Sequence, residues 1–266
     1  MTSHPVYQMT SFSRSGETLM QRCLQAHPDI EVVHQIREPD SAADLELFKK
    51  LRFNGAPNAL AGDDPVLAHR QISPAGVLLL KNAVWTHRGA RRGFILIRNP
   101  FSVVVSAYRH TANPESEAHQ RAQQLRWCQT IDRHMKPFVE KTDNLTSWLA
   151  LYTRKMMHDR RSGLPFVRYE DFVANPEQTL RKIVAHLGLD WNPRVLESHL
   201  DYKEGEVGHG NIKLWQPIHT GSTDKYKSLA PEVASQVYSL TSEVLRAYGY
   251  GWTGEEVRLN VVKGML

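Results

Sequence analysis

The sequence predicts an α/β protein with an open, mostly parallel sheet flanked by helices, and two observations support this class. Short apolar segments, which are typical of buried parallel strands, alternate with longer segments of helical periodicity. The first apolar segment also runs through a turn of small residues straight into amphipathic sequence. Alternation of strand and helix along a chain is typical of a parallel sheet covered on both faces.

The predicted strands are short and apolar, and the predicted helices lie between them. We expect strands at residues 6–12, 30–33, 77–80, 94–98 and 166–168. We expect helices at residues 17–26, 42–52, 101–110, 116–141, 145–160, 176–187 and 231–247. Asn175 followed by Pro176 is typical of a helix start, and Gly188 is typical of a helix end. Residues 54–65 and 201–228 are rich in turn-forming residues, so we expect two long loops there.

The size and composition of the chain favour one soluble domain. The 266 residues, 41% of them hydrophobic, are enough for one large domain or for a core with a helical subdomain, and we expect a single domain over residues 1–266. No run of about 18 apolar residues occurs, so we expect no membrane span, and the N-terminus lacks the pattern of a secretory signal. The two cysteines, Cys23 and Cys128, have apolar neighbours and are expected to be reduced core residues, which favours a cytoplasmic protein.

The net charge of +5 and the isoelectric point of about 9.2 have two interpretations. One is a solvated basic surface, and the other is an anionic ligand, because positive residues gather near the candidate site segments. The short basic clusters RGARRG and RHTANP lack interleaved aromatic residues and a long basic run. We therefore do not expect nucleic-acid binding.

The turn at residues 13–18 has the composition of a phosphate-binding loop. Gly16 allows a ligand to approach the backbone, and the first N–H groups of the following helix have no partner inside it. Arg14 adds a permanent positive charge. Hydroxyl donors come from Ser13, Ser15 and Thr18. The full Walker pattern is absent, since Glu17 stands where its lysine would be, so the turn is P-loop-like. The alternative is an ordinary turn between strand and helix with a serine cap.

A second candidate segment is the apolar strand Phe94-Ile95-Leu96-Ile97, which ends in Arg98. Asn99 and Pro100 follow it and begin a helix, and Ser106 lies about two helical turns beyond Arg98. A buried arginine without a partner is costly, so Arg98 is expected to meet a carboxylate or a phosphate.

Four segments between residue 6 and about residue 230 resemble the sulfotransferase family, in the family's order. The first, SRSGETLMQRCLQAHPDI, resembles its 5′-phosphosulfate loop and is most similar to bacterial and tyrosylprotein-type members. The second, FILIRNPFSVVVSAYRH, resembles its 3′-phosphate segment. PFVRYEDFVANPEQTLRKIVAHLGLDW resembles its Y-E-D segment. HTGSTDKYKSLAPE resembles the late loop that closes over the nucleotide, with Tyr226 where tryptophan is common.

This resemblance implies a donor and a set of residues that hold it. Sulfotransferases of this kind use 3′-phosphoadenosine 5′-phosphosulfate (PAPS) and release adenosine 3′,5′-bisphosphate. By resemblance, the 5′-phosphosulfate lies on Arg14, Ser15, Gly16, Glu17 and Thr18, and the 3′-phosphate on Arg98 and Ser106. Tyr169 lies near the adenine or the 3′-phosphate, and Lys225 and Tyr226 reach the donor from the late loop. Glu17 departs from the family, which usually has threonine there.

Sulfuryl transfer resembles phosphoryl transfer in its needs, because positioning and fixed positive charge do most of the catalysis. Arg14 and Lys81 are candidates to stabilise charge on the bridging oxygen of the leaving phosphate. His34, Glu38 and His87 are candidates for the base that accepts the acceptor's proton. No metal is required, and no residue spacing indicates a metal site. Small-molecule, carbohydrate, lipid and peptide hydroxyls all remain open as acceptors, as does an amine.

Two other classes compete with a PAPS-dependent sulfotransferase. A small-molecule kinase of the P-loop type would need a lysine in the turn and an aspartate at the end of a buried strand for magnesium. This chain has arginine in the turn and Arg98 at the strand end. A non-catalytic nucleotide-binding homologue is the third class, and Glu17 is the residue that suggests it.

Overall fold

The computed structural model describes residues 3–33, 59–67, 72–82, 92–108, 114–208 and 212–266. The predicted helix at residues 42–52 lies outside these residues. The described parts contain a six-stranded sheet with helices on its two faces. The predicted class, an open and mostly parallel α/β sheet, is confirmed.

The sheet is centred on the strand that precedes the small-residue turn. Its order is β2-β4-β1-β5-β6, with neighbouring strands parallel, and β3 pairs antiparallel with β1. The strands are β1 (Ser3–Ser11), β2 (Ile30–Val33), β3 (Ala59–Ala61), β4 (Val77–Asn82), β5 (Gly93–Ile97) and β6 (Phe166–Arg168). All five predicted strands are therefore present, and β3 is an addition within a segment predicted as loop.

The strand register brings the candidate segments to one edge of the sheet. Met9 of β1 lies opposite Lys81 of β4, and Ser11 lies opposite Leu96 of β5. Because the three strands are parallel, their carboxyl ends meet at the same edge, where ligands bind in open α/β sheets. The turn after β1, Lys81 and Arg98 therefore lie side by side, although they are far apart in the sequence.

The helices cover the sheet because successive strand residues face opposite sides. Ile95 and Ile97 pack into one core cluster, and Phe94 and Leu96 pack into another on the opposite face. The helices are α1 (Glu17–Gln25), α2 (Pro100–Tyr108), α3 (Pro114–Ile131), α4 (Lys136–Lys141), α5 (Asn144–Arg161), α6 (Tyr169–Ala174), α7 (Pro176–His186) and α8 (Pro231–Ala247). Among the described residues, no helix has the length and hydrophobicity needed to cross a lipid bilayer.

Two sequence predictions about secondary structure are wrong. Residues 116–141 are not one helix, because the chain is extended at Asp132 and its carboxylate accepts a hydrogen bond from the His134 N–H at 3.0 Å. This local cap starts a new turn and separates α3 from α4. Residues 201–228 are not wholly loop, since they contain a short hairpin of β7 (Val207–Gly208) and β8 (Ile212–Lys213). The C-terminal hairpin of β9 (Tyr250–Trp252) and β10 (Val257–Leu259) was not predicted.

Candidate active site

The turn after β1 presents free backbone N–H groups at the start of α1. Gly16 is the N-cap of α1, with a left-handed backbone at φ 98°, and no side chain caps the helix. The alternative of a serine-capped turn is therefore wrong. The N–H groups of the first helical turn remain available, and the helix dipole favours an anion in front of them.

Gly16 lies directly against the ring of Tyr169, the first residue of α6. A Cβ atom added to Gly16 would be 2.3 Å from Cδ2 of Tyr169, so no other residue fits. The Tyr169 hydroxyl shares a hydrogen bond of 2.7 Å with the hydroxyl of Ser222. The ring of Tyr169 therefore forms a wall of the turn, and it also connects the turn to the late segment of the chain.

Arg14 links the turn to helix α2. Its backbone is left-handed, with φ 76°, which is uncommon for a residue with a side chain. Its Nε donates to the hydroxyl of Ser106 over 3.0 Å. The pKa of the Arg14 guanidinium is lowered by burial and by the charge of Arg98, whereas the carboxylate of Glu17 raises it.

Besides the Ser11 hydroxyl at the end of β1, two buried donors at this edge have no hydrogen-bond partner among the described residues. They are the hydroxyl of Ser15, which is fully buried, and Nε of Arg98. Buried polar groups are nearly always paired in folded proteins, so each indicates a missing acceptor. The hydroxyl-bearing Ser13 and Thr18 of the same turn are partly buried. Oxygens of an anionic ligand are acceptors that fit both orphaned donors.

The side chain of Arg98 is held by neutral groups. Its guanidinium lies 4.5 Å from the centre of the Tyr169 ring, and it donates to the carbonyls of Ser222 at 2.6 Å and Arg14 at 3.4 Å. In the described parts of the chain, no carboxylate lies within salt-bridge distance of Arg98. The expected carboxylate partner is therefore not observed there, and a phosphate remains the other expected partner.

Glu17 lies within electrostatic reach of both candidate catalytic cations. It is the first residue of α1 and is buried. Burial lowers the pKa of Lys81, and the charge of Glu17 partly counteracts this, as it does at Arg14. A buried carboxylate in this turn is tolerated because the positive charges of Arg14 and Lys81 offset its charge.

The turn at Arg98 and Asn99 is supported by residues that sequence reasoning missed. Oε1 of Glu170 accepts from the backbone and side-chain nitrogens of Asn99, at 3.0 and 2.6 Å. Oε2 of Glu170 accepts from the hydroxyl of Tyr250 at 2.7 Å. The Y-E-D pattern around Glu170 was a signal for a supporting role, whereas the role of Tyr250 depends on a contact across 80 positions of the chain.

The roles expected of Lys225 and Tyr226 in the late segment stay predictions. Lys225 is exposed, and Tyr226 is buried with its ring near Phe101 and Trp252 and its hydroxyl accepting from the Val257 N–H at 3.1 Å. The late segment contacts the site through Ser222, described above, and Thr223. The carbonyl of Thr223 accepts from the Ser102 hydroxyl at 3.0 Å. Both residues belong to the HTGSTDKYK segment singled out in the sequence.

The three candidate bases, His34, Glu38 and His87, lie outside the described residues. Within the described ranges, no group of three or more histidine, cysteine or acidic side chains is arranged to hold a metal ion.

A small-residue turn at the carboxyl edge of a parallel sheet, followed by a helix with an uncapped N-terminus, defines an α/β protein of the P-loop-like class. A model of the sulfotransferase domain matches residues 8–207. The chain therefore belongs to the sulfotransferase family, and transfer of a sulfuryl group is its general chemistry.

Known proteins similar to this chain are consistent with that family. Protein-tyrosine sulfotransferase 2 of Gallus gallus is 23% identical over 263 residues, which cover 92% of this chain and 69% of that protein. The sulfotransferase domain of the Synechococcus olefin synthase has a similar fold, with a TM-score of 0.55 at 17% identity, covering 92% of this chain and 96% of that one. A mouse sulfotransferase complexed with PAP matches with a TM-score of 0.50 at 13% identity, covering 91% and 84% of the two chains.

Proposed function

We propose that this protein transfers a sulfuryl group from PAPS to an acceptor hydroxyl or amine and releases adenosine 3′,5′-bisphosphate. The observation that carries the proposal is the pair of orphaned donors, Ser15 Oγ and Arg98 Nε, at two separate positions of one positively charged edge. A donor with phosphate groups at both ends of an adenosine supplies acceptors to both. A ligand with a single phosphate group would leave one of them unpaired.

Each end of the donor has its own set of residues in this proposal. The 5′-phosphosulfate lies on the turn, held by the N–H groups at Gly16 and Thr18, the hydroxyls of Ser13 and Ser15, and Arg14. The 3′-phosphate lies on Arg98 and Ser106. The hydrogen bond between Arg14 and Ser106 supports an arrangement in which the two subsites adjoin. The ring of Tyr169 contacts Gly16 of the first subsite and Arg98 of the second, so it lies at the boundary between the two subsites.

Catalysis is electrostatic in this proposal. The acceptor oxygen or nitrogen attacks the sulfur in line, and the S–O bond to the 5′-phosphate breaks with its electron pair on the phosphate oxygen. Arg14 and Lys81 stabilise that developing charge, as fixed positive groups do in phosphoryl transfer. The acceptor's proton passes to a base, for which His34, Glu38 and His87 remain predictions.

The competing kinase hypothesis fits the site less well. A P-loop kinase holds magnesium with a carboxylate at the end of a strand beside the loop. The strand beside β1 is followed here by Arg98, whose surroundings suit an anion.

The late segment contributes to the donor site in this proposal. Lys225 and Tyr226 were expected to touch the donor, and Ser222 is better supported because it already contacts Arg98 and Tyr169.

The experiment is transfer of labelled sulfate from PAPS to a panel of tyrosine peptides, phenols, sugars and hydroxylated lipids. We expect label on at least one acceptor class, and loss of transfer in Arg14→Ala. The tyrosine peptides are included because a relative is a protein-tyrosine sulfotransferase. Binding of adenosine 3′,5′-bisphosphate without transfer to any acceptor would support the non-catalytic homologue. Thermal stabilisation by ATP and magnesium alone would support the kinase.

A further inference from the structure

One face of helix α5 contacts the ends of both strands that lead into the site. Trp148, Tyr152, Lys155 and Asp159 are spaced by four, three and four positions, so they share a face, and all are buried. This face packs against the end of β1 and against the residue that follows β5. Its contacts therefore reach the backbone on which both anion-binding segments are built.

At the end of β1, the contacts are both polar and aromatic. The Lys155 ammonium donates to the Thr10 hydroxyl over 2.6 Å, and Thr10 donates to Asp159 over 2.9 Å. The ring of Phe12, two residues later, has its centre 4.8 Å from that of Trp148 and 5.4 Å from that of Tyr152. These contacts hold β1 at the point where the phosphate-binding turn begins.

After β5, the contact is a single hydrogen bond. The Tyr152 hydroxyl donates to the backbone carbonyl of Arg98 over 2.8 Å. Asn99 is the N-cap of α2: its side chain accepts from the N–H of Ser102 at 2.8 Å, and its carbonyl accepts from the N–H of Val103 at 3.1 Å. The Arg98 carbonyl precedes this cap, so it has no partner within the helix. The Tyr152 hydroxyl therefore provides the Arg98 carbonyl with a hydrogen-bond donor. Burial and the charge of Glu170 raise the pKa of Tyr152 well above its ordinary value, so the hydroxyl remains a donor.

We propose that Tyr152 is a positioning residue for the 3′-phosphate: it fixes the backbone at Arg98 so that the guanidinium is aimed at that group. This inference rests on the proposed function. Tyr152 touches neither the donor nor the reacting atoms, and it acts through Arg98. Without the hydroxyl, the peptide between Arg98 and Asn99 keeps only the hydrogen bond from the Asn99 N–H to Glu170, so its carbonyl is no longer held and the guanidinium is aligned less firmly over Tyr169.

The chain offers a matched control for this role. Tyr248 is also fully buried, and its hydroxyl donates over 2.8 Å to another backbone carbonyl, that of Met156 on the same helix. Tyr152→Phe and Tyr248→Phe each remove one buried hydroxyl–carbonyl hydrogen bond and keep the ring. A general loss of stability should therefore be similar in both variants, whereas only Tyr152→Phe affects the backbone at Arg98.

The test is calorimetric titration of wild type and both variants with adenosine 3′,5′-bisphosphate and with adenosine 5′-phosphate. In Tyr152→Phe we expect the Kd for the bisphosphate to rise by about fivefold or more, with less than about a twofold change for the monophosphate. Tyr248→Phe should leave the ratio of the two Kd values unchanged. In an Arg98→Ala background, Tyr152→Phe should have no further effect on the bisphosphate, because the two residues act through one contact.

An unchanged ratio in Tyr152→Phe would overturn the inference, as would an equal change of ratio in Tyr248→Phe. An additive effect of Tyr152→Phe in the Arg98→Ala background would overturn it too. Failure of the proposed function has a different signature: the wild type would then bind both nucleotides equally or not at all.

Discussion

The Nε atom of Arg14 donates a hydrogen bond to the hydroxyl of Ser106 over 3.0 Å, across 92 positions of the sequence. This bond joins the turn after β1 to the second turn of α2. The two segments that resemble separate sulfotransferase signatures are therefore one continuous positively charged edge.

Arg98→Ala is expected to weaken binding of adenosine 3′,5′-bisphosphate far more than binding of adenosine 5′-phosphate. A charge-assisted contact contributes roughly 1.5–3 kcal/mol, so the loss should be about tenfold to over a hundredfold for the bisphosphate. Titration calorimetry with both nucleotides measures this. Arg181→Ala, an exposed arginine on α7, is the control and should change neither Kd. Equal losses for both ligands in Arg98→Ala would identify Arg98 as purely structural.

Glu17→Thr is expected to tighten binding of adenosine 3′,5′-bisphosphate. The substitution removes a buried negative charge near the phosphate-binding turn and restores the residue usual in the family. Because the Glu17 carboxylate competes with the phosphates for the positive charges of Arg14 and Lys81, we expect the affinity to rise by about tenfold. Glu177→Thr, at an exposed position, is the control. Weaker binding in Glu17→Thr would indicate that the carboxylate positions the two cations rather than competing for them.

Lys81 is expected to make donor binding weaken at alkaline pH. Burial lowers the pKa of Lys81, and only its protonated form attracts phosphate. Affinity should therefore be full below the lowered pKa and fall as pH rises through it. Lys81→Arg should move this decline to higher pH, because arginine keeps its charge.

Measuring the Kd of the bisphosphate between about pH 7 and 10 tests the role of Lys81. The same alkaline decline in wild type and Lys81→Arg would exclude Lys81 as its cause. In the absence of ligand, the lowered pKa means that the unfolded chain binds this proton more tightly. Lys81 should therefore make folding stability rise with pH between its folded and unfolded pKa values, and Lys81→Met should remove that rise.

Gly16→Ala is expected to lower donor affinity by about tenfold or more and to destabilise the fold. The new Cβ would lie 2.3 Å from the Tyr169 ring, and the left-handed backbone is itself unfavourable for alanine. Gly163→Ala isolates the second effect, since Gly163 has φ 79° and a Cβ added there would have no heavy atom within 4 Å. That control should cost only about 1 kcal/mol and leave binding unchanged. Urea unfolding measures the loss of stability, and calorimetry measures the change in donor affinity. Similar losses in Gly16→Ala and Gly163→Ala would contradict the packing of Tyr169 on the turn.

Local patterns were sufficient to predict most of the secondary structure. Strands β2 and β6 begin and end at the predicted residues, because apolar runs between turn residues have few alternatives. The break at Asp132 was missed since a single side-chain cap overrode a long helical pattern. The C-terminal hairpin was missed because its two strands are three residues each, too short to show a period.

The candidate site was predicted in part. The turn residues and Arg98 were singled out because glycine, serine and arginine at the ends of strands have few purely structural uses, and their roles at the donor stay predictions. Ser222 was missed because its contacts use a backbone carbonyl and a hydroxyl, which leave no distinctive pattern in the sequence. Tyr152 was missed for a similar reason: an isolated tyrosine within a helix has the appearance of a core residue.

The amino-acid order alone was enough to establish the alternation of strand and helix, the small-residue turn after β1 and the family, since each depends on residues that are neighbours in the chain. Which polar groups interact was decided by folding: Arg14 with Ser106, Glu17 with Lys81, and Tyr152 with the carbonyl of Arg98. Those pairs come from different strands and helices. Their meeting depends on the order of strands in the sheet and on side-chain packing, and no local pattern encodes either.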